Sequence, residues 1–252
     1  MKRPITVIIP CKNEELNIVE CIASCDSIAD EILVADSGST DRTTEIAEKL
    51  GARVEEMNWR GYAGQKNYAS DQAANDWILS IDADESLSEA LEAEIWHIKK
   101  CGPRFDAYTM PRQAQYLGRW ILHSGWYPDR KVRFFDRRKA EWVGDYVHES
   151  VKVRGSVGHF DSNLLHFTCS SLSEHLKTMD RYTTLAAEQL IDQRVPIGIG
   201  KLVADPLWTF FRTYLLQQGF RDGVEGLCIA YMAAFYNFAK YAKARFMLPG
   251  RR

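Results

Sequence analysis

The sequence lacks a long apolar segment of the kind that targets or anchors a protein to a membrane. After Met1–Arg3 the apolar stretch runs only from Ile5 to Ile9 and ends at Pro10, too short for the hydrophobic region of a signal peptide. The longest charge-free run near the end, Gly226 to Ala239, has 14 residues, which make about 21 Å of helix against a hydrocarbon core of about 30 Å. We therefore expect a cytosolic protein without a membrane-spanning helix.

Paired cysteines are absent as well. The six cysteines include no Cys-x-x-Cys pair. Cys21 and Cys25, four residues apart, are more typical of buried thiols than of a metal site. Reduced cysteines agree with a cytosolic location.

The net charge is small, at −2, but it is unevenly spread. Residues 1–100 carry 10 basic and 20 acidic side chains, residues 101–200 carry 14 and 11, and residues 201–252 carry 8 and 3. The acidic first segment excludes a nucleic-acid groove, whereas the basic, aromatic-rich last segment is suited to a phosphate-bearing surface. A hydrophobic content of 46% and a charged content of 26% indicate a globular chain.

The first hundred residues alternate between predicted strands and predicted helices. Apolar runs predict strands at residues 5–9, 31–36, 52–57 and 76–81, with helices between them and another after Ser88. We interpret Asn13 as the cap of a helix that begins at Glu14. This alternation predicts an α/β fold with a mostly parallel sheet and helices on both faces.

The rest of the chain is less regular. Strand-like pieces occur at residues 106–111, 131–136 and 164–168. Residues 172–195 are predicted to form a long helix, and residues 203–248 one or two amphipathic helices. We expect one domain over residues 1–200, with halves at 1–100 and 101–200, and a helical extension over residues 201–252.

Polar side chains follow three of the predicted strands, at the ends where open parallel sheets bind ligands. The three segments are Pro10–Glu14, Asp36–Asp41 and Asp82–Asp84. Asp82 and Asp84 follow an apolar strand, and two such carboxylates need a counter-charge, usually Mg²⁺ or Mn²⁺. Each segment alone also fits a turn or a helix cap, an Asx-turn in the case of Asp36. Their convergence on one sheet edge favours a ligand site.

These motifs resemble glycosyltransferase family 2, an inverting family with the GT-A (Rossmann-like) fold. The resemblance covers residues 4–100 and rests on Val7–Pro10 with Asn13-Glu14, on Asp36-Ser37-x-Ser39-x-Asp41 and on Asp82-Ala83-Asp84. It implies a nucleotide pocket lined by Pro10, Asn13 and Glu14, with Asp36 accepting from the uracil ring of a UDP-sugar. It also implies that Asp82 lies near the ribose or donor sugar and that Asp84 binds the metal between the phosphates.

The run Gly64–Asn67 also resembles the family. By that resemblance Lys66 reaches a phosphate of the donor; the alternative is a solvated lysine on a helix. Arg130 and Arg133 are candidates for bidentate phosphate contacts, or else they face solvent from a strand.

A second set of motifs resembles a bacterial subgroup that includes β-glucosyltransferases of the lipopolysaccharide inner core. It comprises Tyr127–Phe135, Trp142–Gly144, Val147–Glu149, His166, Lys177, Arg181, Tyr182 and Gly219–Gly223. The resemblance implies transfer of a hexose, most simply glucose, from a UDP-sugar to a lipid-linked saccharide acceptor by a metal-assisted single displacement.

A single displacement needs a base for the acceptor hydroxyl. Glu149 is the predicted base, because the family places its base carboxylate after the metal motif. Asp145 is the second candidate, with His148 between them, and an ion pair with a nearby arginine is the alternative role for Glu149. His148 and His166 are each a candidate ligand, a base orienter or a packed core histidine, and His166 is the candidate second metal ligand.

The residue pattern of the predicted helical extension indicates contact with a membrane surface. Leu227, Tyr231, Ala234, Phe235 and Phe238 fall on one helical face, with Lys240, Lys243 and Arg245 beyond them. This pattern fits either a core helix or a helix at the bilayer interface, and the basic excess favours the second. We expect a peripheral protein on the cytoplasmic face of the inner membrane.

Other functions fit the sequence less well. A polyprenyl-phosphate sugar transferase usually adds spanning helices and needs no base, because its nucleophile is a phosphate. A nucleotidyltransferase usually needs a glycine-rich loop after the first strand, which Pro10–Asn13 does not provide. A non-catalytic nucleotide-sugar-binding membrane adaptor would not need the intact set of Asp36, Asp82 and Asp84.

Overall fold

The structure is a computed structural model that describes residues 3–144 and 149–247. The strands are β1 Ile5–Cys11, β2 Glu31–Asp36, β3 Arg53–Glu56, β4 Trp77–Ser80, β5 Glu85–Leu87, β6 Ala107–Tyr116, β7 Arg119–Trp120, β8 Asp129–Asp136, β9 Ala140–Val143, β10 Ser150–Val153, β11 Val157–His159 and β12 Leu164–Cys169. The α-helices are α1 Ile18–Ala23, α2 Thr43–Lys49, α3 Tyr62–Gln72, α4 Glu89–Cys101, α5 Leu172–Asp192, α6 Ile199–Phe211 and α7 Gly223–Met247.

The chain divides into two compact units. The sheet unit comprises Met1–Gln113 and Asp129–His166, and the helical unit comprises Ala114–Pro128 and Phe167–Arg252. The division at residue 200 that we infer from the sequence stays a prediction.

The parallel half of the sheet comes from the first hundred residues. β1 lies between β2 and β4 and pairs in parallel with both, while β2 pairs in parallel with β3. Alternate residues of β1 enter two buried clusters: Val7 packs in the cluster that contains Ile22 of α1, and Ile8 in the cluster that contains Ala69 of α3. Burial on both faces explains the unbroken apolar run of β1.

The later strands of the sheet are mainly antiparallel. β8 pairs antiparallel with β4 and β6, and β12 pairs antiparallel with β5. The order across the sheet is β3-β2-β1-β4-β8-β6-β12-β5. The α/β fold class is confirmed, with parallel pairing among β1–β4 and between β11 and β6.

The predicted helix cap at Asn13 is wrong. α1 begins at Ile18 with Asn17 at its N-cap position, and Asn13 has a left-handed backbone with φ of 58°. The Asn13 side-chain oxygen accepts instead from the backbone N–H of Thr40 at 2.7 Å. Asn13 therefore joins the loop after β1 to the loop after β2. The predicted cap at Ser88 is confirmed, because its hydroxyl accepts from a backbone N–H in the first turn of α4.

The helical unit contains α5, α6 and α7, so of the one or two helices predicted over residues 203–248 the structure has two. A π-helical segment, Arg212–Leu216, and a 3₁₀ turn, Gly219–Asp222, separate α6 from α7. One buried cluster joins these helices. It contains Ala187 of α5, Ala244 of α7 and Ile197, which precedes α6. Among the described residues, no helix combines the length and the apolar character needed to cross a membrane.

The basic residues expected to face a membrane are engaged within the helical unit. Lys243 Nζ lies 2.7 Å from Asp180 Oδ1, and Arg245 donates to the carbonyl of Ile197 at 3.1 Å. Burial lowers the pKa of Lys240. These contacts correct the expectation that the three cations form a free electrostatic surface.

Candidate functional site

A tight turn surrounds Asp36 at the carboxyl end of β2. The buried carboxylate accepts from the backbone N–H groups of Gly38 and Ser39, both at 2.9 Å, and from the Ser39 hydroxyl. The Cys11 thiol lies 3.6 Å from Asp36 Oδ1, and burial, aided by the Asp36 charge, raises the pKa of that thiol. The Asx-turn is therefore present, and the contact of Asp36 with a uracil ring stays a prediction.

The loop after β1 is joined to this turn. The Asn13 N–H donates to Ser39 Oγ at 2.9 Å, and the Glu14 N–H donates to Thr43 Oγ1 at 2.8 Å. Pro10 lies just before them, partly buried in β1. The structure thus brings Pro10, Asn13 and Glu14 to the edge that carries Asp36, as the parallel strand order predicts.

Two buried cations hold Asp82 just after β4. Asp82 Oδ1 lies 2.8 Å from Lys66 Nζ, and Asp82 Oδ2 lies 2.6 Å from Arg133 Nη2. Burial raises the pKa of the Asp82 carboxyl, but the charges of Arg133 and Lys66 outweigh burial and hold that pKa well below its usual range. Both Asp82 oxygens therefore have cationic side-chain partners, and the role of Asp82 as a metal ligand stays a prediction.

The residues on either side of Lys66 fix the loops around it. Gln65 donates to Ser37 Oγ at 2.9 Å, and Asn67 exchanges two 2.8 Å hydrogen bonds with the backbone of Trp142 in β9. The Trp142 ring centre lies 4.5 Å from Lys66 Nζ, close enough for a cation–π contact. Lys66 is thus a buried cation of the site and not a solvated helix lysine.

Glu149 lies on the other side of Lys66. Its Oε1 accepts from Lys66 Nζ at 3.1 Å, and its side chain is 18% exposed. The ion pair considered for Glu149 is present, but with a lysine in place of an arginine. The second base candidate, Asp145, lies outside the described residues, as does His148.

Asp84 and His166 meet across 82 positions of sequence. β12 pairs with β5 so that His166 lies opposite Glu85, the residue after Asp84, and His166 Nε2 lies 3.2 Å from Asp84 Oδ2. His166 Nδ1 is buried without a hydrogen-bond partner among the described residues. Over residues 3–144 and 149–247, no group of three or more His, Cys, Asp and Glu side chains forms a metal site. The chain thus brings together one carboxylate and one imidazole.

The two arginine candidates lie in different surroundings. Arg133 is buried against Asp82 and lies 2.8 Å from Glu85 Oε1. Arg130 is exposed on β8 and donates to the carbonyl of Phe160 at 3.0 Å. Of the two arginines, Arg133 contacts the carboxylates of Asp82 and Glu85. A phosphate contact stays a prediction for both arginines.

Comparison with known proteins identifies the family. The model of the family described as "Glycosyl transferase family 2" matches residues 6–151, more than half of the chain. The chain belongs to glycosyl transferase family 2.

Relatives of this family 2 glycosyltransferase align along nearly its whole length. An uncharacterized glycosyltransferase of Rickettsia conorii is 31% identical over 261 residues, covering 96% of this chain and 89% of the relative. The lipopolysaccharide core biosynthesis glycosyltransferase LpsC of Rhizobium meliloti is 31% identical over 249 residues, covering 96% of this chain and 92% of the relative. A crystal structure of S. aureus TarS 1–349 in complex with UDP-GlcNAc is a distant structural neighbour, with a TM-score of 0.49 and 15% identity. The alignment covers 96% of this chain and 89% of the TarS chain.

Glu85 is a site residue of this glycosyltransferase that the sequence analysis missed. It is buried, and its Oε2 accepts from the Asp82 N–H at 3.0 Å. Its Oε1 accepts from Arg133 at 2.8 Å, and Arg112 Nη1 lies 3.4 Å away. Glu85 closes the turn that presents Asp82 and Asp84. The available signal is a third carboxylate directly after Asp84.

Proposed function

We propose that this glycosyltransferase moves a hexose, most simply glucose, from a UDP-sugar to a lipid-linked saccharide acceptor of the lipopolysaccharide core. The anomeric centre inverts in a single displacement. The observation that carries the proposal is the 3.2 Å pairing of Asp84 with His166 beside the Asp82–Lys66–Glu149 cluster. The bacterial motifs and the similarity to the lipopolysaccharide core biosynthesis glycosyltransferase of Rhizobium meliloti support the acceptor class.

Asp84 and His166 fit a divalent cation. Carboxylate oxygen suits Mg²⁺ and Mn²⁺, and an imidazole nitrogen is better suited to Mn²⁺. Asp84 and His166 would hold the ion. When bound, the ion supplies Lewis-acid stabilisation of the leaving diphosphate.

The remaining residues bind the donor and remove the proton from the acceptor hydroxyl. Asp36 recognises the uracil ring, and the buried charges of Lys66 and Arg133 favour binding of the diphosphate end of the donor. Glu149 removes the proton from the acceptor hydroxyl, and Lys66 orients it through the 3.1 Å contact at Oε1. Because Oε1 of Glu149 faces Lys66, Oε2 is the oxygen that we assign to proton transfer.

The test of this proposal is a panel of UDP- and GDP-sugars with Mn²⁺ or Mg²⁺, with and without purified core saccharide-lipid. We expect UDP release from UDP-glucose, stimulated by the acceptor. Preference for a GDP-sugar would contradict the donor assignment. Binding of UDP without any turnover on the panel would favour the non-catalytic adaptor.

Asp36→Ala should weaken UDP binding by about 1.5–3 kcal/mol, the range for a hydrogen bond to a charged group. The variant should also lose stability, because the carboxylate accepts two backbone hydrogen bonds of its own turn. Isothermal titration calorimetry with UDP separates the two effects.

Asp136→Ala is the matched control, because the buried Asp136 also accepts a backbone N–H of its own turn, from Arg138 at 3.0 Å, and lies opposite Trp77 at the start of β4. It should lose stability yet bind UDP as the parent does. Equal UDP affinity in the parent and in Asp36→Ala would refute the role of Asp36.

We also propose that α6 binds the cytoplasmic face of the inner membrane. Exposed apolar side chains recur every four residues along α6 and the π-helical segment, at Ile199, Val203, Leu207, Phe211 and Leu215. Trp208 is exposed beside them. Lys201 and Arg212 supply positive charge suited to anionic lipid headgroups. This apolar row replaces the basic end of α7 as the main contribution to membrane binding.

The double variant Leu207→Asn with Leu215→Asn should weaken binding to anionic liposomes by about a hundredfold. Burial of each leucine contributes about 1.5–3 kcal/mol, and about 1.4 kcal/mol corresponds to a factor of ten. Co-sedimentation measures the change. UDP-sugar hydrolysis without liposomes should be unchanged.

Leu16→Asn in the sheet unit is the matched control, since Leu16 is 89% exposed and Leu207 is 67% exposed. It should bind liposomes as the parent does. Unchanged sedimentation of the double variant would remove the membrane role of α6.

A further inference from the structure

The helical unit contains a cavity that the proposed transfer reaction does not use. Its volume is about 290 Å³, near the lower end of the roughly 300–1,000 Å³ typical of small-molecule sites. One face of α5 contributes Met179 and Tyr182, and one face of α7 contributes Met232 and Tyr236. We call this cavity the helical pocket.

The walls of the helical pocket are largely apolar and aromatic. Met179 is buried, and Tyr182, Met232 and Tyr236 are partly exposed. Methionine side chains adapt to flexible apolar ligands, and burial raises the pKa of Tyr236, so its hydroxyl stays neutral. The lining suits a chain or ring without charge.

One lining residue supplies a positive charge. Arg212 is exposed at the pocket and opens the π-helical segment, a rare geometry that occurs frequently at functional sites. The lining residues include no carboxylate within the described part of the chain. His175 also lines the pocket, but Tyr116 Oη lies 2.8 Å from its Nδ1 and burial lowers its pKa. Thr178, Thr209 and Asn237 add uncharged polar groups to the lining, and Asn237 donates to Thr209 Oγ1 at 2.7 Å. The pocket therefore combines one guanidinium with a mainly apolar lining.

We propose that the helical pocket binds a phosphate-bearing amphiphile, with its phosphate at Arg212 and the first part of its apolar chain against Met179 and Met232. A guanidinium offers a fork of N–H donors that matches phosphate oxygens. The volume of the pocket accommodates only part of a lipid, so the rest of the chain would remain outside. This binding does not depend on sugar transfer, and it is tested without a sugar donor.

The probe is decyl phosphate, used below its micelle concentration and titrated into the full-length protein by calorimetry. We expect one site per chain. Arg212→Gln should weaken binding by about tenfold or more, because the charged phosphate contact is lost. Ala233→Phe, which fills the pocket from α7, should abolish the one-site binding. Arg194→Gln, at an exposed arginine outside the pocket, should leave it unchanged.

Two further probes identify the source of the ligand. Dihexanoyl phosphatidylglycerol represents a bilayer lipid, and tighter binding than decyl phosphate would assign the pocket to membrane phospholipid. Tighter binding of decyl phosphate would assign it to a single-chain phosphate carrier. Glucose 6-phosphate carries the phosphate without a chain, and its binding as tightly as decyl phosphate would overturn the amphiphile assignment.

The Arg212→Gln variant decides the proposal even if Ala233→Phe fails to fold. Arg212 is exposed, so its replacement should leave the melting temperature within a few degrees of the parent. Equal affinity of the parent and Arg212→Gln for decyl phosphate would overturn the proposal, as would binding at many sites with no dependence on Arg212. Neither result would affect the UDP-release assay, which reports on the sheet unit.

Discussion

Asp84→Asn should reduce acceptor-dependent UDP release by about a hundredfold or more. Asparagine keeps the shape of the side chain but removes the negative charge that a hard divalent cation requires. Loss of one group that stabilises developing charge in a transition state typically costs about 100- to 1,000-fold in rate. Initial rates with Mn²⁺ and with Mg²⁺ measure the effect, and circular dichroism should show an unchanged fold.

The controls for this prediction distinguish loss of the bound metal from a general effect of replacing a carboxylate. Asp71→Asn, on an exposed position of α3, should retain parental activity. Chelator should abolish parental activity, and Mn²⁺ should restore it. His166→Gln exchanges an imidazole nitrogen for an amide oxygen and should shift the preference from Mn²⁺ toward Mg²⁺. Full activity of Asp84→Asn, or of the parent in chelator, would remove the metal from the proposal.

The parallel half of the sheet could be predicted because its local signals agree. The apolar runs of β1 and β2 match strands buried on both faces, and Ser88 has the side chain and position of a helix cap. Strand ends that carry polar residues then converge by topology alone. For this reason Asp36 and Asp84 could be assigned to one edge before any contact was visible.

The contacts within the site could not be predicted in the same way. Lys66 meets Glu149 across 83 positions, and His166 meets Asp84 across 82. Such pairings depend on strand register in the antiparallel part of the sheet, where no periodicity in the sequence fixes which strands are neighbours. The resemblance to the family supplied His166 as a candidate. Glu85 was missed although it directly follows Asp84, because its residue type does not reveal that it is buried.

Local preference also failed where a tertiary contact was stronger. Asn13 is a good helix cap by residue type, but its amide oxygen accepts from the N–H of Thr40 in a neighbouring loop. Lys243 looks like a surface cation, yet its ammonium group contacts Asp180 and Thr184 of α5. In both cases the side chain that the local pattern assigns to a cap or to solvent contacts a partner distant in sequence.

Glu149→Gln should lower the rate of transfer to a saccharide acceptor by about 100- to 10,000-fold, the contribution typical of a general base. The amide oxygen of glutamine can still accept from Lys66 Nζ, which lies 3.1 Å from Glu149 Oε1 in the parent. The variant therefore keeps the local geometry and loses the group that binds the proton. UDP affinity, measured by calorimetry, should remain close to that of the parent, so the loss should appear in kcat.

Glu141→Gln is the control for this variant, because Glu141 is an exposed carboxylate on β9 that forms a 3.6 Å ion pair with Arg154 and lies outside the cluster at Lys66. It should transfer sugar at the parental rate. If Glu149→Gln were fully active while Asp145→Asn was not, the base would be Asp145. If both variants were fully active, a hydroxyl acceptor would be excluded in favour of a phosphate nucleophile, which attacks without a base. A polyprenyl phosphate should then replace the saccharide-lipid as acceptor in the same UDP-release assay.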